Sequence, residues 1–351
     1  MQGIKNVMQR FRKSPAFTGG ILFIIAIILN AAFQGPASFF SPRALNTLFS
    51  TNIPFLLVVM SQSILLISGT MDVSCGIQLA LVNVVTIMTV QEWGVPFLVG
   101  CLIGIVAAML ASAICWLFCS VFRLPALLAS YALTYAVKGV NVLIMNVPQG
   151  KVDKIFYKAY DSILLGFIPT SIIALVAVLL IWAYVKRTKF GTNIYAVGAN
   201  PRNAFAAGIN PVKVQFQAFM LKGLIVGIAG ICLTLMTASG NPLQAEDYGL
   251  RSLSACIIGG LTFGGWGTMA CGVFGGGFLI LIQNAVYYFF NMLYKFIPGF
   301  SVSSYWHNFL TDIIIFLGLL MTIVTAKNQR KMLQLNVQNE ARESKAKGEN
   351  Q

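Results

Sequence analysis

The sequence predicts an all-α polytopic membrane protein of about ten transmembrane helices with both termini cytoplasmic, and three observations carry that prediction. Of 351 residues, 57% are hydrophobic and only 10% are charged, and a water-soluble chain of this length could not cover its surface with so few charges. The charges also fall between long neutral runs: residues 14–42, 44–71, 73–91, 93–122, 162–185, 223–245 and 252–294 contain no Asp, Glu, Lys or Arg. An outer-membrane barrel would instead alternate apolar and polar residues in segments of about ten, and that alternation is absent.

At about 20 residues per crossing, the runs place spans at 16–33, 52–71, 73–91, 95–121, 124–146, 163–185, 214–237, 252–270, 271–292 and 306–325. The first follows a basic N-terminus (1–15) but lacks the small-residue cleavage site of a secretory signal, and its apolar run is too long, so it reads as an uncleaved span. With the N-terminus inside, the inner connections hold Lys5, Arg10, Arg12, Lys13, Arg123, Lys186, Arg187, Lys189, Arg202, Lys213 and six cations from Lys327 onward, sixteen in all. The outer connections hold Arg43, Lys151, Lys154, Lys158, Arg251 and Lys295, only six, and Lys138 and Lys222 fall within or at the mouth of spans. This asymmetry satisfies the positive-inside rule. The net charge of +14 therefore describes orientation, and nucleic acid is not expected as a partner. Residues 326–351 read as a polar cytoplasmic tail.

Residues 186–213 form the one sizeable inner connection of the transmembrane domain (16–325). Asn200 followed by Pro201 is a helix start, because Asn caps free N–H groups and Pro suits the first helical position, while Gly208 supplies a left-handed stop. A helix of about two turns is predicted between them, and Asn210-Pro211 repeats the signal at the start of the seventh span. So short a helix is marginal alone in water, and its Phe205 and alanines suggest docking. Two readings fit the sequence: the helix lies on the membrane surface or on the chain's own helix ends, or it is a coupling element gripped by a cytoplasmic partner.

The interior offers little acid–base chemistry. Besides Lys222, only Asp72, Lys138 and Asp312 lie near or within spans, where an ion-gradient carrier usually has several ionisable groups. Lys138 and Asp312 are expected to pair. Uncharged amides are more numerous, and Gln62, Gln78, Asn83, Asn141, Gln283 and Asn284, with Asp72, are candidates for a solute pathway. Amides exchange hydrogen bonds with hydroxyls, and rings such as Tyr131, Tyr135 and Tyr287 stack on the C–H face of a sugar. The same amides also serve simply to tie helices together. The seven cysteines show no CxxC and no adjacent His, so they read as packing residues rather than a metal or redox site. No GxxxxGK[ST], HExxH or GxSxG is present, so neither a nucleotide cradle nor a catalytic residue is expected. The glycines of GGLTFGGWG (259–267) and GVFGGGF (272–278) read as close packing and a turn.

The stretch SGTMDVSCG (68–76) resembles the Gly-Gly-Ile-Asp-Leu-Ser-Val-Gly signature of bacterial ABC sugar importer permeases of the ribose, xylose, galactose and autoinducer-2 type. Gly69, Asp72, Ser74 and Gly76 keep the pattern, and Thr70 and Cys75 depart from it. RLPALLASYALTYAVKG (123–139), YAVGANPRNAFAAGINPVKV (195–214), AEDYGLRSLSACIIGG (245–260) and FGGWGT (263–268) extend the match over about 45–325. The resemblance implies a permease subunit in the bacterial cytoplasmic membrane that carries a neutral sugar or sugar-like solute. It also implies a partner ATPase that binds the ATP, a second permease and an extracytoplasmic solute-binding protein. The ATPase-facing loop of the family falls on Ala199, Asn200, Pro201, Arg202, Phe205, Ala206 and Gly208. Gly249 and Arg251 stand where the family commonly has an acidic Tyr-Glu-Leu-Asp-like stretch, so Arg251 is a candidate contact to an unlike second permease, with a homodimer as the alternative. SGTMD (68) and SGNPL (239) on opposite sides are the trace an inverted repeat would leave. The alternative functional readings are a gradient-driven secondary transporter of a small polar solute and a membrane-embedded enzyme subunit.

Overall fold

The computed structural model describes residues 15–296, apart from 165, 167, 263 and 265, together with 306, 309, 310, 312–318 and 320. Its helices are α1 (Phe17–Gln34), α2 (Pro36–Phe39), α3 (Pro42–Ile67), α4 (Cys75–Trp93), α5 (Phe97–Trp116, prolonged by a π-turn Leu117–Val121), α6 (Ala126–Ile144) and α7 (Lys154–Tyr160). A two-stranded antiparallel hairpin, β1 (Ile163–Leu164) with β2 (Ile168–Pro169), follows. The chain continues through α8 (Ile172–Lys186), α9 (Lys189–Ala199), α10 (Pro201–Ala206), α11 (Pro211–Thr237), α12 (Tyr248–Ile258) and α13 (Met269–Phe296).

Among the described residues, seven helices are long and apolar enough to cross a bilayer: α1, α3, α4, α5, α6, α11 and α13. The protein is thus an all-α polytopic membrane protein. Three predicted spans are corrected. The second starts at Pro42 rather than residue 52, because Ser41 caps the helix by accepting from Ala44 N and Pro42 sets its first turn. The sixth is helical only from Ile172, because the hairpin takes residues 163–169. The predicted helix over 252–270 does not form. Instead α12 ends at Ile258 after 11 residues, roughly 16 Å against a hydrocarbon core of about 30 Å. Gly260, Gly264 and Gly267 then take φ of +95°, +94° and +119°, conformations that only glycine adopts readily. Of the last predicted span, 306–325, residues 306, 309, 310, 312–318 and 320 are described, and these are helical.

Helix α3 is the hub. Nearly every side chain from Ile53 to Ile67 is buried, packed by α8, α11, α12 and α13. The outward faces of α1, α5 and α6 present Ile24, Ile28, Leu102, Leu110, Leu128 and Leu143, as helices facing lipid do. At one end of the bundle Trp116 Nε1 donates to Val212 O at 3.2 Å and Ser120 Oγ to Gln215 Oε1 at 2.8 Å. The end of α3 and the start of α13 lie at that end too. At the opposite end Asn46 Nδ2 donates to Asp161 O at 2.9 Å and Tyr160 Oη to Ser50 O at 2.8 Å, bringing α7 and the hairpin against the start of α3.

Candidate functional site

Two stretches of chain inside the bundle are not helical, and they lie side by side. The first, residues 68–74, leaves α3 at Ser68, turns at Gly69 (φ +84°) and climbs to the start of α4. The second, residues 238–247, leaves α11 at the left-handed Ala238 (φ +52°) and descends beside α4 to the start of α12. Gly76 and Gly249, each the second residue of its helix, make the crossing. A methyl group on Gly76 would lie 2.5 Å from Ala245 O, and one on Gly249 would collide with Val73 O. Only a residue without Cβ lets the two backbones pass so closely.

Unwound backbone away from water must find partners for its N–H and C=O groups. In the second stretch amides supply them. Asn83 Nδ2 donates to Ser239 O at 3.0 Å and to Thr234 Oγ1 at 3.0 Å, while Asn83 Oδ1 accepts from Asn241 N at 2.8 Å. Asn141 Nδ2 donates to Ile77 O at 3.3 Å and Pro242 O at 3.2 Å. Asn83 and Asn141 thus clamp the second stretch to α4 and α6.

The first stretch is held by charge. Lys222 Nζ, roughly 17 Å along α11, donates to Asp72 Oδ2 at 2.7 Å, Gln78 Oε1 at 2.6 Å and Ser112 Oγ at 3.2 Å, which uses its three protons. Asp72 Oδ1 accepts from Ser74 N at 2.8 Å and from the Ser74 hydroxyl, and Gln78 Nε2 donates to Ser74 Oγ at 2.8 Å. Asp72 and Lys222 are both 0% exposed. Taking the two ions out of water is compensated only by geometry this complete.

Beside the crossing, Val73, Tyr131, Thr134, Tyr135, Glu246 and Asp247 are among the residues that line a hollow of about 410 Å³. Tyr131 and Tyr135 meet edge to face with centroids 5.2 Å apart and hydroxyls at 3.0 Å. Lys138 Nζ bridges both Glu246 oxygens at 2.8 and 2.9 Å, so its partner is Glu246 and not Asp312, which is exposed in the 312–318 helical segment. Arg251 belongs to the first turn of α12 rather than to an outer connection. It pairs with Asp247 at 2.8 Å and lies over the Phe55 ring at 5.4 Å.

None of the seven pathway candidates lines this hollow. Asp72 and Gln78 share the Lys222 network, and Asn83 and Asn141 clamp backbone. Gln62 is fully buried on α3 with neither amide atom hydrogen-bonded. Gln283 is half-buried on α13, and Asn284 Nδ2 donates to Asn30 Oδ1 at 2.8 Å, tying α13 to α1. Sequence reasoning passed over Lys222, Ser112, Glu246 and Asp247. The signal for the first was available: a lone cation in an apolar helix and a lone carboxylate in another each require a partner.

The predicted surface helix is present as α10. Asn200 Oδ1 accepts from Arg202 N at 3.0 Å and Asn203 N at 3.1 Å, Pro201 opens the helix, and Gly208 (φ +82°) turns the chain away. Asn210 caps α11 through Lys213 N at 3.2 Å. Ala199, Asn200, Pro201, Arg202, Phe205, Ala206 and Gly208 are all exposed, while Ala204 is buried beneath. The helix α9 before it, capped by Thr188 Oγ1, is an element the sequence did not predict. Its Gly198 packs backbone to backbone, with a methyl on Gly69 falling 3.3 Å from Gly198 Cα and one on Gly264 falling 3.6 Å from Gly198 O.

Residues 44–323 match the family described as branched-chain amino acid transport system, permease component. The chain is similar to the D-allose transport system permease protein AlsC of Escherichia coli (strain K12), with 25% identity over 276 residues, 76% of this chain and 83% of that protein. It is 26% identical to the ribose import permease protein RbsC of Bacillus subtilis (strain 168) over 266 residues, covering 74% and 79% of the two chains. With the galactose/methyl galactoside import permease protein MglC of Haemophilus influenzae (strain ATCC 51907 / DSM 11121 / KW20 / Rd) it shares 23% over 338 residues, 89% and 96%. No solved structure matches.

Proposed function

The chain belongs to the family of branched-chain amino acid transport system permease components, and on that footing we propose that it is the membrane-spanning subunit of an ABC importer carrying a neutral sugar or sugar-like solute. It is a multi-pass inner-membrane protein and not itself an enzyme. The observation that carries the solute class is the hollow beside the two unwound stretches. Phenol hydroxyls, Thr134 and ring faces suit hydroxylated solutes, and the ion pairs Lys138–Glu246 and Arg251–Asp247 leave its charge balanced. Names of relatives that include allose, ribose and galactose permeases support the same class.

The proposed topology has ten crossings with both termini inside. The eighth is the second unwound stretch followed by α12, and the sixth and tenth contain α8 and the 306–320 segment. On this reading SGTMD and SGNPL open the two unwound stretches from opposite sides, as corresponding segments of an inverted repeat, and the solute route lies where the two halves meet. The face of α10 made by Asn200, Arg202, Phe205 and Ala206 receives the partner ATPase, which binds the ATP, so this chain needs no cofactor. A methyl group on Gly69, at the foot of the first unwound stretch, would fall 3.3 Å from Gly198 Cα, and one on Gly264, beyond α12, would fall 3.6 Å from Gly198 O. Movement of α9 and α10 therefore reaches both broken crossings and alternates their exposure. The solute-binding protein meets the opposite end, near α7 and the hairpin. A second permease, alike or unlike, closes the hollow from the side, with Arg251 at the joint.

The test is uptake of labelled aldoses into vesicles holding this chain, its ATPase and its binding protein. ATP-dependent uptake supports the proposal. Uptake that survives ATP depletion and stops with an uncoupler would establish the secondary-transporter alternative instead.

A further inference from the structure

Away from the proposed solute route, at the end of the bundle where α1 stops and α3 begins, two cavities of opposite character join. The first, about 260 Å³, is bounded by Phe23, Ile27, Leu45, Leu48, Leu56 and Ile280 among others, and Asn52 is its only polar lining residue. The second, about 440 Å³, is lined by Ser38, Ser41, Arg43, Thr47 and Thr51 with Gln34 and Asn284. Phe39, Leu48 and Asn52 belong to both walls. Among the described residues, Arg43 is the only charged one lining either cavity, and no acid lines them. Gln34 Oε1 is buried there without a hydrogen-bond donor, an unmet requirement in a membrane interior.

Length decides what fits. Phe23, at the deep end, lies eleven residues or roughly 17 Å below Gln34 along α1. That is about half of a hydrocarbon core some 30 Å thick. An apolar slot that opens onto hydroxyls and a single cation, the two together one leaflet long, has the polarity profile of one membrane lipid. A sugar has no chain for the slot, and an inorganic anion leaves it empty.

We propose that this paired cavity is a binding site for one phosphatidylethanolamine molecule of the outer leaflet. An acyl chain lies between α1, α3 and α13, the phosphate accepts from the Arg43 guanidinium, and the ammonium lies among the hydroxyls of Ser38, Ser41 and Thr47. The guanidinium suits a phosphate because its N–H groups are spread in a plane that can engage two oxygens at once. The site splints α1 to α3 and α13 where α2 is only four residues long.

The experiment is native mass spectrometry of the full chain, reconstituted in vesicles of phosphatidylethanolamine and phosphatidylglycerol and released into mild detergent. Wild type should retain one phosphatidylethanolamine. Arg43→Glu, which reverses the charge at the head, and Leu45→Trp, which fills the slot, should each lower occupancy about tenfold, the scale of one charge-assisted contact. Arg43→Lys should keep most of it. Thermal melting of each variant shows whether the bundle is intact, and Leu48→Trp replaces Leu45→Trp if that variant does not fold. Equal retention in all proteins, an empty wild type, selective retention of phosphatidylglycerol, or loss confined to one of the two variants overturns the proposal. So does a crosslink showing that residues 1–14 or 297–305 fill the slot.

Discussion

The ammonium of Lys222 on α11 and the carboxylate of Asp72 ahead of α4 stand 2.7 Å apart with neither reached by solvent. Asp72 lies on an unwound stretch and Lys222 on an unbroken helix, so the pair pins a mobile type of backbone to a rigid one.

Removing one partner leaves an uncompensated buried ion. Asp72→Asn and Lys222→Met should each destabilise the chain by about 3–5 kcal/mol, read as a lower melting temperature in detergent and reduced membrane abundance. The double variant should recover most of that loss. If the double variant is as damaged as the sum of the singles, the two residues are not partners.

Gly249→Ala places a methyl group against Val73 O, and Gly76→Ala places one against Ala245 O. Overpacking of this kind costs about 1–3 kcal/mol, yet it falls at the crossing of the two unwound stretches. Transport should be lost while the protein still reaches the membrane. Normal uptake by either alanine variant would show that the crossing opens without this close approach.

In the hollow, Tyr131→Phe and Tyr135→Phe each remove one hydroxyl, worth about 1 kcal/mol, so the apparent KM for solute should rise roughly fivefold. Glu246→Gln breaks a half-exposed ion pair and should change stability by less than about 1 kcal/mol. It should nevertheless slow uptake. Three variants with wild-type kinetics would place the route elsewhere.

Ala206→Asp puts a charge on the exposed face of α10 without touching the buried Ala204. Uptake should stop while the spans stay folded and the partner ATPase still hydrolyses ATP. Wild-type uptake would remove the case for α10 as the docking element.

What the sequence made legible was local. Asn200, Pro201 and Gly208 specify α10 by capping and backbone preference alone, and apolar runs specify α1, α4 and α5, as well as α6 and α11 despite Lys138 and Lys222. What it hid depends on residues far apart in the chain. NPLQAED (241–247) is polar, so it reads as a connection outside the membrane, although Asn83 and Asn141 fold it back against α4 and α6. That misplacement carried Glu246 out of the bundle and left Lys138 to be matched with Asp312. The run over 252–294 is apolar enough for two helices, but three positive-φ glycines end the first after 11 residues. Lys222 and Asp72 are 150 positions apart, and the one trace of their pairing is that each is a lone charge beside apolar sequence that needs a partner.

No side chain stands between Gly198 and either Gly69 or Gly264, and an added methyl would fall 3.3 Å from Gly198 Cα on the first side and 3.6 Å from its O on the second. If α9 is the lever of the proposed cycle, the joint is tight toward Gly69 and has room for one methyl group toward Gly264, so the first unwound stretch would begin to move ahead of the turn beyond α12.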